Sequence, residues 1–197
     1  MNLIIAPHVD DEVLGCGGII DEGFHVIFCG IQDFHIVPAA HRITEIECVA
    51  EFLGYTWEIW RFDKVNNYNL HNFITPLEQA VNHYKPEIIF LPHPSYNQDH
   101  QEIYKAAMIA LRRHDKNFFV KKVLIYEETD CLWGCDYFKP NYFVPINITK
   151  KITAYEKHSS QVRDHRSFDI IKTIAELRGF VSNTCYAEAF EVLRWVD

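Results

Sequence analysis

Short apolar runs alternate with helical patterns from the first residues of the chain, and that rhythm leaves few folds open. Residues 3–6, 26–31, 56–62, 87–91 and 122–126 read as strands. Helical patterns occupy 12–22, 40–53, 70–84 and 99–112 between them. In the last of these, Ile103, Ala106, Ala107, Ala110 and Leu111 share one face. Gly54 stands where a left-handed cap would end the second helix, and Pro86 separates the third from the next strand. The run Glu87-Ile88-Ile89-Phe90-Leu91 is apolar on both faces, which suits a parallel strand covered on each side. Repeated βα units of this length imply a right-handed, Rossmann-like α/β sheet with helices on both faces and strand order 3-2-1-4-5. Beyond Tyr126 the rhythm changes. A strand at 142–146, helices at 149–162 and 169–177, and a closing strand at 189–196 are expected as C-terminal additions.

The length of 197 residues fits one domain spanning 1–197, and no repeat or linker divides it. Nineteen basic residues against 27 acidic ones give a net charge of −8, so a nucleic-acid or anionic-membrane partner has no electrostatic basis. One anionic substrate held by a few local basic residues stays compatible with that balance. No stretch approaches the roughly twenty apolar residues of a membrane helix. The N-terminus lacks a basic lead and runs into Asp10-Asp11-Glu12, unlike a signal peptide, so a cytoplasmic location is expected. The six cysteines are scattered, with Cys131-x3-Cys135 the one close pair, and read as reduced thiols. Homo-oligomer formation is left open.

Two segments carry chemistry. Pro7-His8-Val9-Asp10-Asp11-Glu12 lies where the first strand gives way to the first helix. Asn97-Gln98-Asp99-His100 lies just beyond the fourth strand and opens the next helix. In a 3-2-1-4-5 sheet the first and fourth strands are neighbours, and their carboxyl ends flank the crevice where such folds bind ligands. Two histidines and up to four carboxylates therefore converge: His8, His100, Asp10, Asp11, Glu12 and Asp99. Two imidazoles and one carboxylate make a three-ligand set that leaves a position open, as catalytic zinc requires. A neighbouring carboxylate can then take a proton from water whose pKa zinc lowers to roughly 7. Without a cation, so many carboxylates in one crevice would repel each other.

His8-x-Asp10-Asp11-Glu12 followed by Leu14-Gly15-x-Gly17-Gly18 resembles the signature of the LmbE/PIG-L family of N-deacetylases, which remove acetyl groups from N-acetylglucosamine conjugates. The similarity continues through Arg42-x-x-Glu45 before Leu53-Gly54 and through Asp99-His100. It extends to His158-Ser159-Ser160-Gln161 and Tyr186-Ala187-Glu188-Ala189-Phe190, in family order over almost the whole chain. The resemblance implies that His8, Asp11 and His100 bind one zinc ion, that Asp10 is the general base, and that Arg42 helps hold an N-acylated amino-sugar substrate. Glu188 is a further substrate-binding candidate. Val9 stands where the family usually has proline, and Asn97 where many members carry a second histidine. An amide can hydrogen-bond a developing oxyanion but cannot change charge near pH 7, so Asn97 and the upstream His93 share that role as candidates.

Other readings accompany these. His8-x-Asp10 with a distant His100 is also the spacing of a non-haem Fe(II) facial triad. A non-catalytic sugar- or metal-binding module is a third reading, prompted by Asn97. Asp11 and Asp99 could cap helices, and Arg42 with Glu45 could be a surface i,i+3 pair. The glycines at 15, 17 and 18 fit close helix–sheet packing better than a phosphate loop, because the preceding segment is acidic. Trp57 and Trp60 read as core or cleft wall, and Trp133 sits in a loop where stacking on a sugar is feasible.

Overall fold

The computed structural model describes residues 1–31, 37–60, 65–132 and 138–197. Trp133, Cys135 and the last two positions of the 56–62 strand lie outside the described residues. Among the described residues, seven strands form one sheet: β1 (Asn2–Ala6), β2 (Phe24–Phe28), β3 (Thr56–Ile59), β4 (Ile88–Pro92), β5 (Lys122–Tyr126), β6 (Tyr142–Pro145) and β7 (Ala187–Trp195). Their order is β3-β2-β1-β4-β5-β7-β6, so the parallel 3-2-1-4-5 core is as expected and the C-terminal additions extend its far edge. β7 runs antiparallel to both β5 and β6.

Among the described residues, six helices cover the sheet: α1 (Asp11–Cys16), α2 (Ala39–Leu53), α3 (Leu70–Tyr84), α4 (Gln98–Ala110), α5 (Ile148–Lys157) and α6 (Phe168–Ser182). Strand alternation divides the apolar residues between two layers. Leu3, Ile5, Ile27, Ile89 and Leu91 pack with Phe73, Leu77, Ile103 and Ala107 of α3 and α4. Ile4, Ala6, Val26 and Phe28 pack with Val13, Ile46, Val49, Tyr155 and Ile171 on the opposite face. From Leu3 to Ala6 both faces of β1 are fully buried, as this apolar run requires.

Local chemistry sets several boundaries. Asn69, Asn97 and Asn147 cap α3, α4 and α5 by accepting from His71 N (3.0 Å), Asp99 N (3.0 Å) and Lys150 N (3.2 Å). Gly54 closes α2 at φ 89°, a left-handed conformation glycine takes without strain. Three expected helices differ, the one over 169–177 by running on to Ser182 as α6. α1 ends at Cys16 rather than 22, with a turn at Gly17 leading toward β2. The helix expected over 149–162 ends at Lys157, because His158 turns inward to meet Glu12 and two short 3-10 turns follow. Gly15 confirms the close-packing expectation, since a Cβ there would stand 2.3 Å from the Tyr126 ring.

No helix among the described residues is long and apolar enough to cross a membrane. Cys16, Cys29, Cys48 and Cys185 are free thiols.

Candidate metal centre and its cleft

β1 and β4 pair in parallel, with Ile4 opposite Phe90, so the segments that follow them emerge side by side. The β1–α1 turn carries His8, and Asp11 opens α1. The first turn of α4 carries Asp99 and His100. His8 Nδ1 lies 3.2 Å from His100 Nε2, and His100 Nε2 lies 3.4 Å from Asp11 Oδ2. His8 Nδ1 to Asp11 Oδ2 closes the triangle at 3.6 Å. Ligands about 2.0–2.1 Å from a tetrahedral metal are separated from each other by about 3.3–3.4 Å. The three edges bracket that value, so the donors stand at the spacing that one shared cation requires. Among the described residues, His8, Asp11 and His100 form the one such group of potential ligands.

Each of the three donors is oriented from behind. His8 Nε2 meets Asp99 Oδ2 at 2.9 Å, which directs Nδ1 into the triangle. Asp99 itself accepts from the backbone N–H groups of Asn66 and Tyr68, the latter at 3.0 Å. Burial works against its charge, but these donors and His8 hold its carboxyl below the ordinary range. Asp99 is thus an orienting group, and Asn97, not Asp99, supplies the helix cap. His100 turns its other nitrogen, Nδ1, toward Glu128 Oε2 at 3.6 Å. Burial likewise opposes the charge of Asp11, yet His100 and His8 keep its carboxyl below the usual range.

Asp10 is buried and occupies φ 101°, a conformation a non-glycine residue holds only at a cost of about 1–3 kcal/mol. Glu12 holds it there. One Glu12 oxygen accepts from the Asp10 N–H at 3.2 Å, and the other receives Tyr55 Oη (3.1 Å) and His158 Nε2 (2.7 Å). Glu12 therefore orients rather than joining the ligand set. The Asp10 carboxyl faces Arg166, 3.1 Å from Nη1. Burial pushes its pKa up to about 7, with Arg166 opposing and Asp11 adding to the rise.

A cleft of about 270 Å³ opens over these groups, lined by His8, Asp10, Arg42, Asn97, Gln161, Arg163 and Arg166 among others. It brings together the expected His8, Asp10, Arg42 and Asn97. Asn97 commits Oδ1 to its helix cap, so its amide N–H2 is the part able to serve a ligand. Arg42 reaches the cleft from α2, while Glu45 turns away to Ser159 and Ser160 in place of the expected surface pairing. Two expected residues do not join the cleft. His93 is buried edge-on against Phe138, at 5.4 Å between ring centroids. Glu188 lies beneath α1, where Lys151 Nζ and the Gly18 N–H both donate to Oε1 at 2.7 Å. It lines a separate small cavity, and its one bonded oxygen is occupied by structural partners. The Fe(II) triad of His8, Asp10 and His100 is also not assembled, because Asp11 occupies the carboxylate corner.

Sequence reasoning missed Glu128, Arg163 and Arg166. Glu128 follows β5 without a flanking motif, and the two arginines lie in a stretch that reads as helix and exposed loop.

No protein-family model matches the sequence, and no curated protein does. Among solved structures, the conserved protein TT1542 from Thermus thermophilus has a TM-score of 0.83 at 21% identity, covering 100% of this chain and 95% of that one. N,N'-diacetylchitobiose deacetylase from Pyrococcus horikoshii gives 0.81 at 20% identity, over 98% of this chain and 83% of that one. The chain has the same fold as these two proteins. That fold also includes GalB, the 4-carboxy-2-hydroxymuconate hydratase of Pseudomonas putida, at TM-score 0.81 and 18% identity over 100% and 98% of the two chains.

Proposed function

We propose that this protein is a metal-dependent N-deacylase of the LmbE/PIG-L type that removes an acyl group, in the first place acetyl, from the nitrogen of an amino sugar or its conjugate. The observation that carries the reading is the His8–Asp11–His100 triangle, sized for one cation, with the buried carboxyl of Asp10 beside it. Two nitrogens and one carboxylate suit zinc. Bound there, the metal would supply Lewis acidity, polarising the amide carbonyl and making water acidic enough to lose a proton near neutral pH.

The remaining work belongs to the side chains. Asp10 accepts the proton of the attacking water and later returns it to the leaving amine. Arg166 keeps the carboxyl of Asp10 in place, and Glu12 fixes its backbone. Asn97 offers an N–H to the oxyanion that develops at the carbonyl carbon. The likeness to a chitobiose deacetylase supports an amide of an N-acetylated sugar as substrate. A second reading, hydration of an unsaturated carboxylate, draws on the likeness to GalB together with the three arginines in the cleft.

Elemental analysis of the purified protein, followed by an acyl-release screen over N-acetyl and N-formyl amino sugars, tests the proposal. About one zinc per chain is expected, with release of acetate or formate. Asp10→Asn should keep the metal and lose about 10²–10⁴-fold in turnover, the usual effect of removing a general base. Full activity in that variant refutes the role of Asp10. Absence of metal uptake together with absence of release leaves a non-catalytic sugar-binding module.

A further inference from the structure

We infer that the substrate carries an anionic group, a carboxylate or a phosphate, seated against Arg42, Arg163 and Arg166 in the cleft beside the metal ligands. The inference names a substrate class for the proposed deacylase site and so rests on that reading.

The chain as a whole has a net charge of −8. Yet the described lining of this cleft holds three guanidinium groups, and Asp10 is the one carboxylate among them, lying 3.1 Å from Arg166. Burial lowers the basicity of Arg42, Asp10 and Glu45 oppose that, and Arg163 and Arg166 add to the lowering. Bringing like charges together in a partly desolvated cleft opposes folding and is offset when an anion occupies the space between them. A neutral N-acyl sugar needs only the uncharged donors and acceptors already present, Asn66, Asn97 and Gln161. Planar guanidinium forks match the paired oxygens of a carboxylate or phosphate.

The arginines stand on segments that are fastened to each other. Glu45, one turn along α2 from Arg42, accepts from Ser159 Oγ (2.9 Å), Ser160 N (2.7 Å) and Ser160 Oγ (2.6 Å). Tyr155 Oη donates to the Gln161 carbonyl at 3.2 Å, and His158 is tied to Glu12. The segment carrying Arg163 and Arg166 is thus held to α1 and α2 before any ligand arrives, which lowers the entropic cost of binding. Arg166 touches Asp10 itself, so the positive wall begins at the reacting centre. An anion seated there belongs to the same small molecule as the amide.

Product amines are bound without turnover and make direct probes. Calorimetry on the metal-loaded protein would compare glucosamine with glucosamine 6-phosphate and with muramic acid. At least one anionic amine is expected to bind about tenfold tighter or better than glucosamine, the scale of one charge-assisted contact. Preference for the phosphate or for the lactyl carboxylate identifies which anion the cleft takes. Arg163→Gln and Arg42→Gln should each remove most of that preference, with glucosamine binding staying within about twofold in Arg163→Gln. Arg163 is exposed, so its replacement does not threaten the fold. Equal affinity for neutral and anionic amines, or equal weakening of both in the variants, overturns the inference. Anionic preference without acyl release from any N-acylated partner keeps the inference and removes the deacylase reading. Acyl release with no anionic preference does the reverse.

Discussion

Asp99→Asn isolates the positioning of His8 from the metal ligands themselves. The wild-type carboxylate accepts three hydrogen bonds: from His8 Nε2 at 2.9 Å, from Tyr68 N at 3.0 Å and from Asn66 N. An asparagine has nearly the same shape, but one arm is a donor. If its oxygen faces His8 and Asn66, which share Oδ2 in the wild type, the N–H2 meets the Tyr68 N–H. If the amide is flipped, the N–H2 meets His8 and Asn66 instead. Either way a donor confronts a donor in a fully buried site, at a cost of about 1–3 kcal/mol. The flipped state also releases the His8 tautomer and ring angle. Loss of an orienting carboxylate costs about 10–100-fold in metal affinity, or about 1.4–2.7 kcal/mol. Competition with a chromogenic chelator would read the zinc affinity, and thermal melts with and without zinc would separate it from stability. Zinc affinity within about twofold of wild type, in a variant that melts at a lower temperature, would show that Asp99 supports only the backbone of 66–68.

Three further outcomes are expected. His158→Gln tests the inward turn that ends α5. Burial lowers the basicity of His158, but Glu12 overrides it, so the folded pKa stands above the ordinary 6.5. The stability this pair contributes is fully present below pH 6.5 and is lost as pH rises through the folded value. Urea unfolding should therefore show a deficit of about 3 kcal/mol in the variant at mildly acid pH that shrinks toward alkaline pH, and a pH-independent deficit contradicts it. Glu188→Gln leaves Lys151 as an uncompensated buried cation beside Leu14 O, at about 3–5 kcal/mol in denaturant titration. Metal affinity should stay unchanged there, and a selective loss of substrate binding would restore Glu188 to the site. Gly15→Ala places a methyl 2.3 Å from the Tyr126 ring and should cost about 1–3 kcal/mol in a thermal or urea melt. An unaltered melting temperature would show that α1 can lift from the sheet freely.

The alternation of two-sided apolar strands with amphipathic helices determined the parallel core. A chain with Leu3, Ile4 and Ile5 in succession has no solvent face to offer, so both sides of β1 must be covered. The same alternation places β1 beside β4, and the histidines just past each strand meet as a consequence. That much of the site needed no coordinates: His8, Asp11 and His100 are the triangle, with Asp10 and Arg42 beside it.

Which carboxylate does what was decided by packing across the chain. Asp10, Asp11 and Glu12 are consecutive, yet one turns to Arg166, one to His8 and His100, and one to His158 and Tyr55; apart from His8, these partners lie 43 to 156 positions away. Residue type and spacing alone do not distinguish them; the expected division between Asp10 and Asp11 came from the family resemblance. Glu188 looked like a late motif residue, but the proximity of Lys151 and of the Gly18 N–H drew it under α1. Arg163 and Arg166 follow the same logic in the opposite direction: the helix expected through 162 breaks at His158, and the turns that replace it carry both guanidiniums into the cleft. Local periodicity therefore determined the layers and the ligand-bearing loops, because hydrophobic burial acts on neighbouring residues in a fixed rhythm. The tertiary structure alone decided the pairing of charges, because a buried charge takes whichever partner the folded chain brings within reach.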